Sequence, residues 1–172
     1  LYLSIKLLAT ALLIPWGARV QAVSVATTML MLLAAFLSLP HATLLTGAGK
    51  IFICGADITE FDAPPAPPHL PEVIARIESA AKPWIAVVSG LALGAGAEIA
   101  LGCTWRVAAP SAQFGLPEVS LGIIPGAGGT QRLPRLIGIE AALPVVTGQQ
   151  RIAADEALHL SLVDAVLQGP LI

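Results

Sequence analysis

From residue 42 onward, short apolar runs closed by glycine or proline alternate with stretches of helical character. That alternation limits the fold more than any other feature of the chain. Ala42-Thr-Leu-Leu-Thr46 ends in Gly47-Ala-Gly49 and reads as a buried strand and turn. Trp84–Ser89 reads as a second strand closed by Gly90, Arg106–Ala109 as a third ended by Pro110, and Val163–Val166 as a last one. The proline-laden stretch from Ala63 to Pro71 is a loop, because successive prolines fix φ and donate no hydrogen bonds. The spacing after it predicts a helix with Val73, Ile74, Ile77 and Ala81 inward and Glu72, Arg76 and Glu78 toward water. Further helices are predicted over Ala95–Leu101, from near Gly129 with Gln131, Arg132 and Arg135, and over Ala153–Leu160, where Asp155 and Glu156 suit the helix dipole. Short strands alternating with helices indicate a layered α/β domain, and no sequence repeat is visible.

Charge divides the chain. All eleven acidic residues lie at Asp57 or later, and the first 49 residues carry only Lys6 and Arg19 as charges. Residues 1–41 are therefore set apart as an atypical apolar segment, and residues 42–172 as the folded core. Val20–Pro40 is uncharged and about as long as the ~20 apolar residues that cross a bilayer. Residues 20–40 thus offer a membrane-associated reading beside that of a misread stretch, and Lys6 through Ala22 loosely has the layout of a signal peptide. Nine basic residues against eleven acidic ones leave no basic field for nucleic acid. Two cysteines, Cys54 and Cys103, without a CxxC pair or a nearby histidine, argue against a disulfide framework or a zinc site and fit a reducing compartment.

Two carboxylates stand out, Glu98 after Gly90-Leu-Ala-Leu-Gly-Ala-Gly-Ala and Glu118 after Gln113-Phe-Gly-Leu-Pro. In a chain this poor in charge, two acids in apolar, glycine-rich surroundings suit an acid and base whose environments set their protonation apart. Singly, Glu98 is a helix-start acid and Glu118 a solvated loop acid. Gly94-Ala-Gly96 is no dinucleotide fingerprint, because four residues separate it from the strand and no acid is placed for a ribose. Gly126-Ala-Gly-Gly129 lacks the ending of a P-loop and reads as a tight turn feeding a helix. At Gly94–Gly96 the bare backbone can approach a substrate oxygen, with the following helix aiming its positive end there. Asp57 has a similar neighbourhood. His41, His69 and His159 have no useful partner, Trp84 and Trp105 read as core aromatics, and Arg132 and Arg135 as a helix face.

Thr46-Gly-Ala-Gly-Lys-Ile-Phe-Ile-Cys-Gly-Ala-Asp57, Gly94-Ala-Gly-Ala-Glu98, Gln113-Phe-Gly-Leu-Pro-Glu118 and Gly122-Ile-Ile-Pro-Gly-Ala-Gly-Gly-Thr-Gln-Arg-Leu133 together resemble the enoyl-CoA hydratase/isomerase (crotonase) family. The likeness runs from about Thr43 to Val166, and Leu101–Ala108 is most similar to the hydratase part of bacterial multifunctional β-oxidation proteins. It implies a crotonase-like (ClpP/crotonase) spiral of short strands and helices, incomplete at both ends. It also implies N–H groups of Cys54 and Ala95 as the oxyanion hole, Glu98 and Glu118 as catalytic residues around one water, and Gly55, Ala56 and Asp57 along the acyl-CoA path. Cys54 then serves through its backbone, its side chain a small filler. No permanently bound cofactor and no metal are implied; the substrate arrives as a coenzyme A thioester, whose phosphates Arg132 and Arg135 would meet as a further assignment. The family also implies a trimer-based homo-oligomer, or a fused or associated 3-hydroxyacyl-CoA dehydrogenase, in the cytoplasm.

Having both glutamates favours a hydratase over a Δ3-Δ2-enoyl-CoA isomerase, which generally needs the second acid alone. The family's opening strand, Asn-Ala-Leu turn and long helix are not evident in residues 1–42, nor are closing helices before Ile172. A truncated or membrane-tethered, non-catalytic remnant is accordingly the reading from another class.

Overall fold

The computed structural model describes residues 42–48, 50–55, 57, 64, 67–148 and 150–168, so the membrane, leader and misread-segment readings of residues 1–41 fall outside it. Two four-stranded sheets share the strands almost in turn. The first holds β1 (Thr43–Thr46), β3 (Trp84–Val88), β5 (Trp105–Ala108) and β8 (Ala165–Val166), in that order and all parallel. The second holds β2 (Ile51–Cys54), β4 (Leu91–Leu93), β6 (Gln113–Gly115) and β7 (Arg151–Ala153), parallel except for the β6–β7 pair.

Each of the first three passes of the chain lays one strand in each sheet and then helix, and the last sets its helix between β7 and β8. β1 and β2 lead to α1 (Leu70–Glu78), and β3 and β4 to α2 (Ala95–Gly102). β5 and β6 lead through a 3₁₀ helix (Pro117–Leu121) to α3 (Gly129–Ile137) and α4 (Ile139–Gly148), and α5 (Ala154–His159) follows β7. The result is a spiral, repetitive in structure although the sequence shows no repeat.

The first sheet and helices α2, α3 and α5 follow the sequence expectations within a residue or two. Ala81 is a correction: α1 ends at Glu78, where Ser79 caps it, and Ala81 is exposed. The second sheet is the larger departure. Its strands are three or four residues long, too short for a period-two pattern to emerge. α4 is likewise absent from the sequence expectations, and it holds Pro144 in its interior.

The core is one cluster drawn from both sheets and the helices between them, with Phe52, Val88, Phe114, Leu116, Val145, Ile152 and Leu162 all buried. Small residues let α1 come close to α2, since a Cβ on Gly102 would press on Cγ2 of Ile74. Trp84 packs on the cluster half-buried, and Trp105 is likewise half-buried.

Arg106 is the one buried cation among the described residues, 6% exposed, and its strand position gave no hint of that. Its Nε donates to the Leu162 carbonyl and its Nη1 to that of Cys103, both at 2.7 Å, while Asp164 accepts its backbone N–H at 2.7 Å. These bonds tie β5 to the turn before β8 and satisfy a charge that burial would otherwise penalise. Burial also pushes the neighbouring Cys103 thiol up to about 11, against the pull of the Arg106 charge, so this cysteine is an inert filler.

Candidate functional site

Parallel strands bring their C-terminal ends to one side of a sheet, where ligand crevices of α/β folds form. In the second sheet that side collects three of the expected segments. Cys54 pairs with Leu93 and Leu93 with Gly115, so the ends of β2, β4 and β6 lie abreast. The Gly55 N–H donates to the Leu93 carbonyl at 2.8 Å, and the Gly94 N–H to the Gly115 carbonyl at 2.9 Å. These bonds set the strand ends and the residues beyond them in place: Cys54-Gly55, then Gly94-Ala95 leading to Glu98 on α2, then Pro117-Glu118 on the 3₁₀ helix.

A cavity of about 450 Å³ opens there, lined by Cys54, Gly55, Ala95, Glu98 and Glu118. Its remaining wall is largely apolar, with Leu70 and Pro71 from the start of α1, Leu93, and Leu121, Ile123 and Ile124 beyond Glu118. Five of the seven sequence-derived site residues therefore meet at one place. Asp57 is exposed and is not part of this lining, and Ala56 lies outside the described residues. The Cys54 side chain departs from expectation: it is exposed rather than a packed filler, because β2 ends at the cavity mouth.

The two carboxyls occupy different surroundings. Glu98 is only 2% exposed, and its Oε1 accepts the N–H groups of Ala127 and Gly129, both at 2.8 Å. Charge-assisted bonds of this kind stabilise negative charge on the oxygen. A Cβ on Gly129 would lie 3.1 Å from both Cγ and Oε1 of Glu98, so any larger residue there would push on the carboxylate. Glu118 is half-buried, and its Oε2 is buried without a partner. Desolvation lifts its pKa above the usual carboxylate range and the nearby Glu98 charge adds to that, while its own backbone N–H opposes the rise. Such a pair can accept a proton at one carboxyl and deliver one from the other.

The backbone donors have matching support. Ala95 is the first residue of α2, so its N–H has no acceptor within the helix and sits at the positive end of the dipole. Gly94 before it has φ +54°, a conformation glycine alone adopts readily, and a Cβ there would come within 3.2 Å of Oε1 of Glu118.

The sequence did not point to Ala127 and Gly129 as the holders of Glu98. The available sign was a run of small residues, Gly126-Ala-Gly-Gly129, with bare amides able to meet an acid. Arg132 is not a free helix-face cation for CoA phosphates: Glu78 engages its Nε at 2.6 Å and its Nη2 at 2.7 Å, and its Nη1 donates to the Ala127 carbonyl at 2.6 Å. His69 and His159 are exposed, while His41 is outside the described residues. No cluster of metal-ligating side chains occurs, and no helix is long and apolar enough to cross a membrane, among the described residues.

Comparison with known proteins points the same way. The family model described as enoyl-CoA hydratase/isomerase matches residues 33–169. A peroxisomal bifunctional enzyme of Danio rerio is 50% identical over 127 residues, covering 74% of this chain and 18% of that protein. A short-chain-enoyl-CoA hydratase of Clostridium acetobutylicum is 47% identical over 134 residues, 74% of this chain and 51% of that one. The crystal structure of an enoyl-CoA hydratase from Bacillus anthracis superposes with a TM-score of 0.69 at 38% identity, over 80% of this chain and 58% of that one. The chain thus spans about half the length of the hydratase relative and less than a fifth of the bifunctional one.

Proposed function

Because the chain belongs to the enoyl-CoA hydratase/isomerase family, we propose that it adds water to a 2-trans-enoyl-CoA to give a 3-hydroxyacyl-CoA in fatty-acid β-oxidation. The observation that carries this reading is the pairing, in one cavity, of a carboxylate gripped by two amides with a desolvated carboxyl, beside the ends of β2 and α2.

In this reading the thioester oxygen accepts the N–H groups of Cys54 and Ala95. That polarises the conjugated double bond and makes C3 electrophilic. Glu98 takes a proton from water as the oxygen bonds to C3, and the electron pair of the double bond moves into a thioester enolate. The two amides hold the enolate oxygen, and losing such a donor typically costs ~10²–10³ in rate. Glu118 then gives a proton to C2, which its raised pKa suits. Glu98 ends with one proton more and Glu118 with one fewer, so exchange through water restores the start. Gly55, Ala56 and Asp57 follow the first donor along the acyl-CoA path.

The product is a substrate for a 3-hydroxyacyl-CoA dehydrogenase, fused or associated, in keeping with relatives named bifunctional. A trimer-based assembly is part of the same proposal, as is a reducing compartment, which free Cys54 and Cys103 suit. The Danio rerio relative is named as peroxisomal and that of Cucumis sativus as glyoxysomal, so a location in such an organelle stands in this proposal beside the cytoplasm.

The test is hydration of crotonyl-CoA by the full chain and by Glu98→Gln and Glu118→Gln. Each substitution is expected to lower kcat by ~10²–10⁴-fold with the circular dichroism spectrum unchanged. Unaltered rates in both variants would overturn the roles. A 3-enoyl thioester converted without water uptake would favour the isomerase, and a chain that neither binds CoA nor hydrates would favour the non-catalytic remnant.

A further inference from the structure

We propose that Arg132 is a positioning residue for Glu98, fixing the Ala127–Gly129 turn whose two amides hold that carboxylate. The inference rests on the hydratase reading for its kinetic consequence, and on geometry alone for the rest.

The turn has little of its own to hold it. Gly126, Ala127, Gly128 and Gly129 carry no side chain beyond one methyl group, so nothing within the run locks its backbone. Yet both N–H groups that bind Oε1 of Glu98 come from it. Arg132 supplies the missing constraint from one turn along α3. Its Nη1 donates to the Ala127 carbonyl at 2.6 Å, and its own N–H donates to the Gly128 carbonyl at 2.8 Å. Gly128 has φ +98°, and a Cβ there would collide with the guanidinium, so the turn and the arginine are fitted to each other.

The guanidinium is in turn aimed from outside. Glu78, the last residue of α1, takes Nε and Nη2 through its two oxygens at 2.6 and 2.7 Å, a planar two-point grip that a lysine cannot reproduce. A chain of contacts thus runs from α1 through Glu78 and Arg132 to the Ala127–Gly129 turn and Glu98. The Arg132 guanidinium is held in its charged form first by the Glu78 hydrogen bond, and the Glu98 charge adds to this, so cation and carboxylate also attract through space. The same α1 contributes Leu70 and Pro71 to the cavity wall, so the arginine links the helix bearing them to the turn that holds Glu98.

Arg132→Met, Arg132→Lys and Glu78→Gln in the full chain test this, with two readouts. One is crotonyl-CoA hydration; the other is backbone amide hydrogen exchange at Ala127 and Gly129, with Val107 in the first sheet as internal reference. Arg132→Met is expected to lower kcat by about 10–100-fold, since small misplacements of a reacting group cost on that scale, with KM changed less than about threefold. Amide exchange at Ala127 and Gly129 should speed by about tenfold or more while Val107 is unchanged. Arg132→Lys should restore the charge without restoring the exchange protection, and Glu78→Gln, which keeps one acceptor, should fall between.

If kcat and protection at the two amides match the wild type in these variants, the proposal is overturned, even where Tm has dropped. Should Arg132→Met fail to fold, Arg132→Lys and Glu78→Gln still decide it. A wild-type chain that does not hydrate crotonyl-CoA would sink the hydratase reading instead, and the exchange data would judge Arg132 by themselves.

Discussion

Glu118 carries a conflict that the fold does not resolve: a buried oxygen with no partner, in a cavity with a second carboxylate. Its pKa is raised, first by desolvation, so the folded state holds the proton more firmly than the unfolded chain does. The stability it contributes is full below its unfolded value and is lost as pH rises through the folded one. Glu118→Gln should therefore melt higher than wild type near pH 8, by roughly 1–3 °C, and equally with it near pH 4, where the wild-type carboxyl is largely protonated. Thermal scans at the two pH values check this; the same difference at both would mean that ionisation is not the cause. At this scale both glutamates were legible, because isolated acids among glycines and apolar residues invite a chemical reason. Their holders were not. Ala127 and Gly129 act through backbone N–H groups, which every residue but proline has, so identity says nothing about them.

Between elements, Arg106 is the clasp that joins β5 to the turn before β8. Replacing it by methionine keeps the bulk while stripping donors from the buried carbonyls of Leu162 and Cys103 and the ion partner from Asp164. Arg106→Met should destabilise the chain by about 2–4 kcal/mol, seen as a lower urea midpoint with an unchanged slope. A loss under about 0.5 kcal/mol would place Arg106 among ordinary surface charges. Sequence spoke unevenly at this level. The longest strand, Trp84–Val88, carries an apolar run that can be read, whereas β4, β6 and β7 have three residues each and gain their identity only from the neighbour they pair with. α3 and α4 each hold an internal proline, which the structure tolerates; the expected helix with Arg135 already runs through Pro134, whereas α4 around Pro144 is not among the expectations.

Taken whole, the described residues bury one core yet leave much apolar surface outside it. Ile124 is 73% exposed and Ile139 72%, and Leu121 and Leu143 are exposed as well. Ile139 and Leu143 lie four apart on α4, hence on one face, and α4 packs beside the 3₁₀ helix that carries Leu121. An apolar face of this kind promotes association. The purified chain should show light scattering that grows with concentration in the ~10 μM range, and Ile139→Glu with Leu143→Glu should suppress it with crotonyl-CoA hydration retained. Scattering unchanged by the double substitution would locate the sticky surface elsewhere. The layered α/β class was readable at this scale because strand-like and helix-like segments alternate, whereas the pairing of strands into two sheets depends on contacts far apart in sequence. Alignment matters most where β2, β4 and β6 present their ends side by side. Slipping any of them by a single residue shifts its end by ~3.3 Å and turns its side chains to the opposite face. A chain threaded that way would look folded by spectroscopy and be dead as a catalyst, so turnover per mole doubles as a gauge of how faithfully a preparation has found its register.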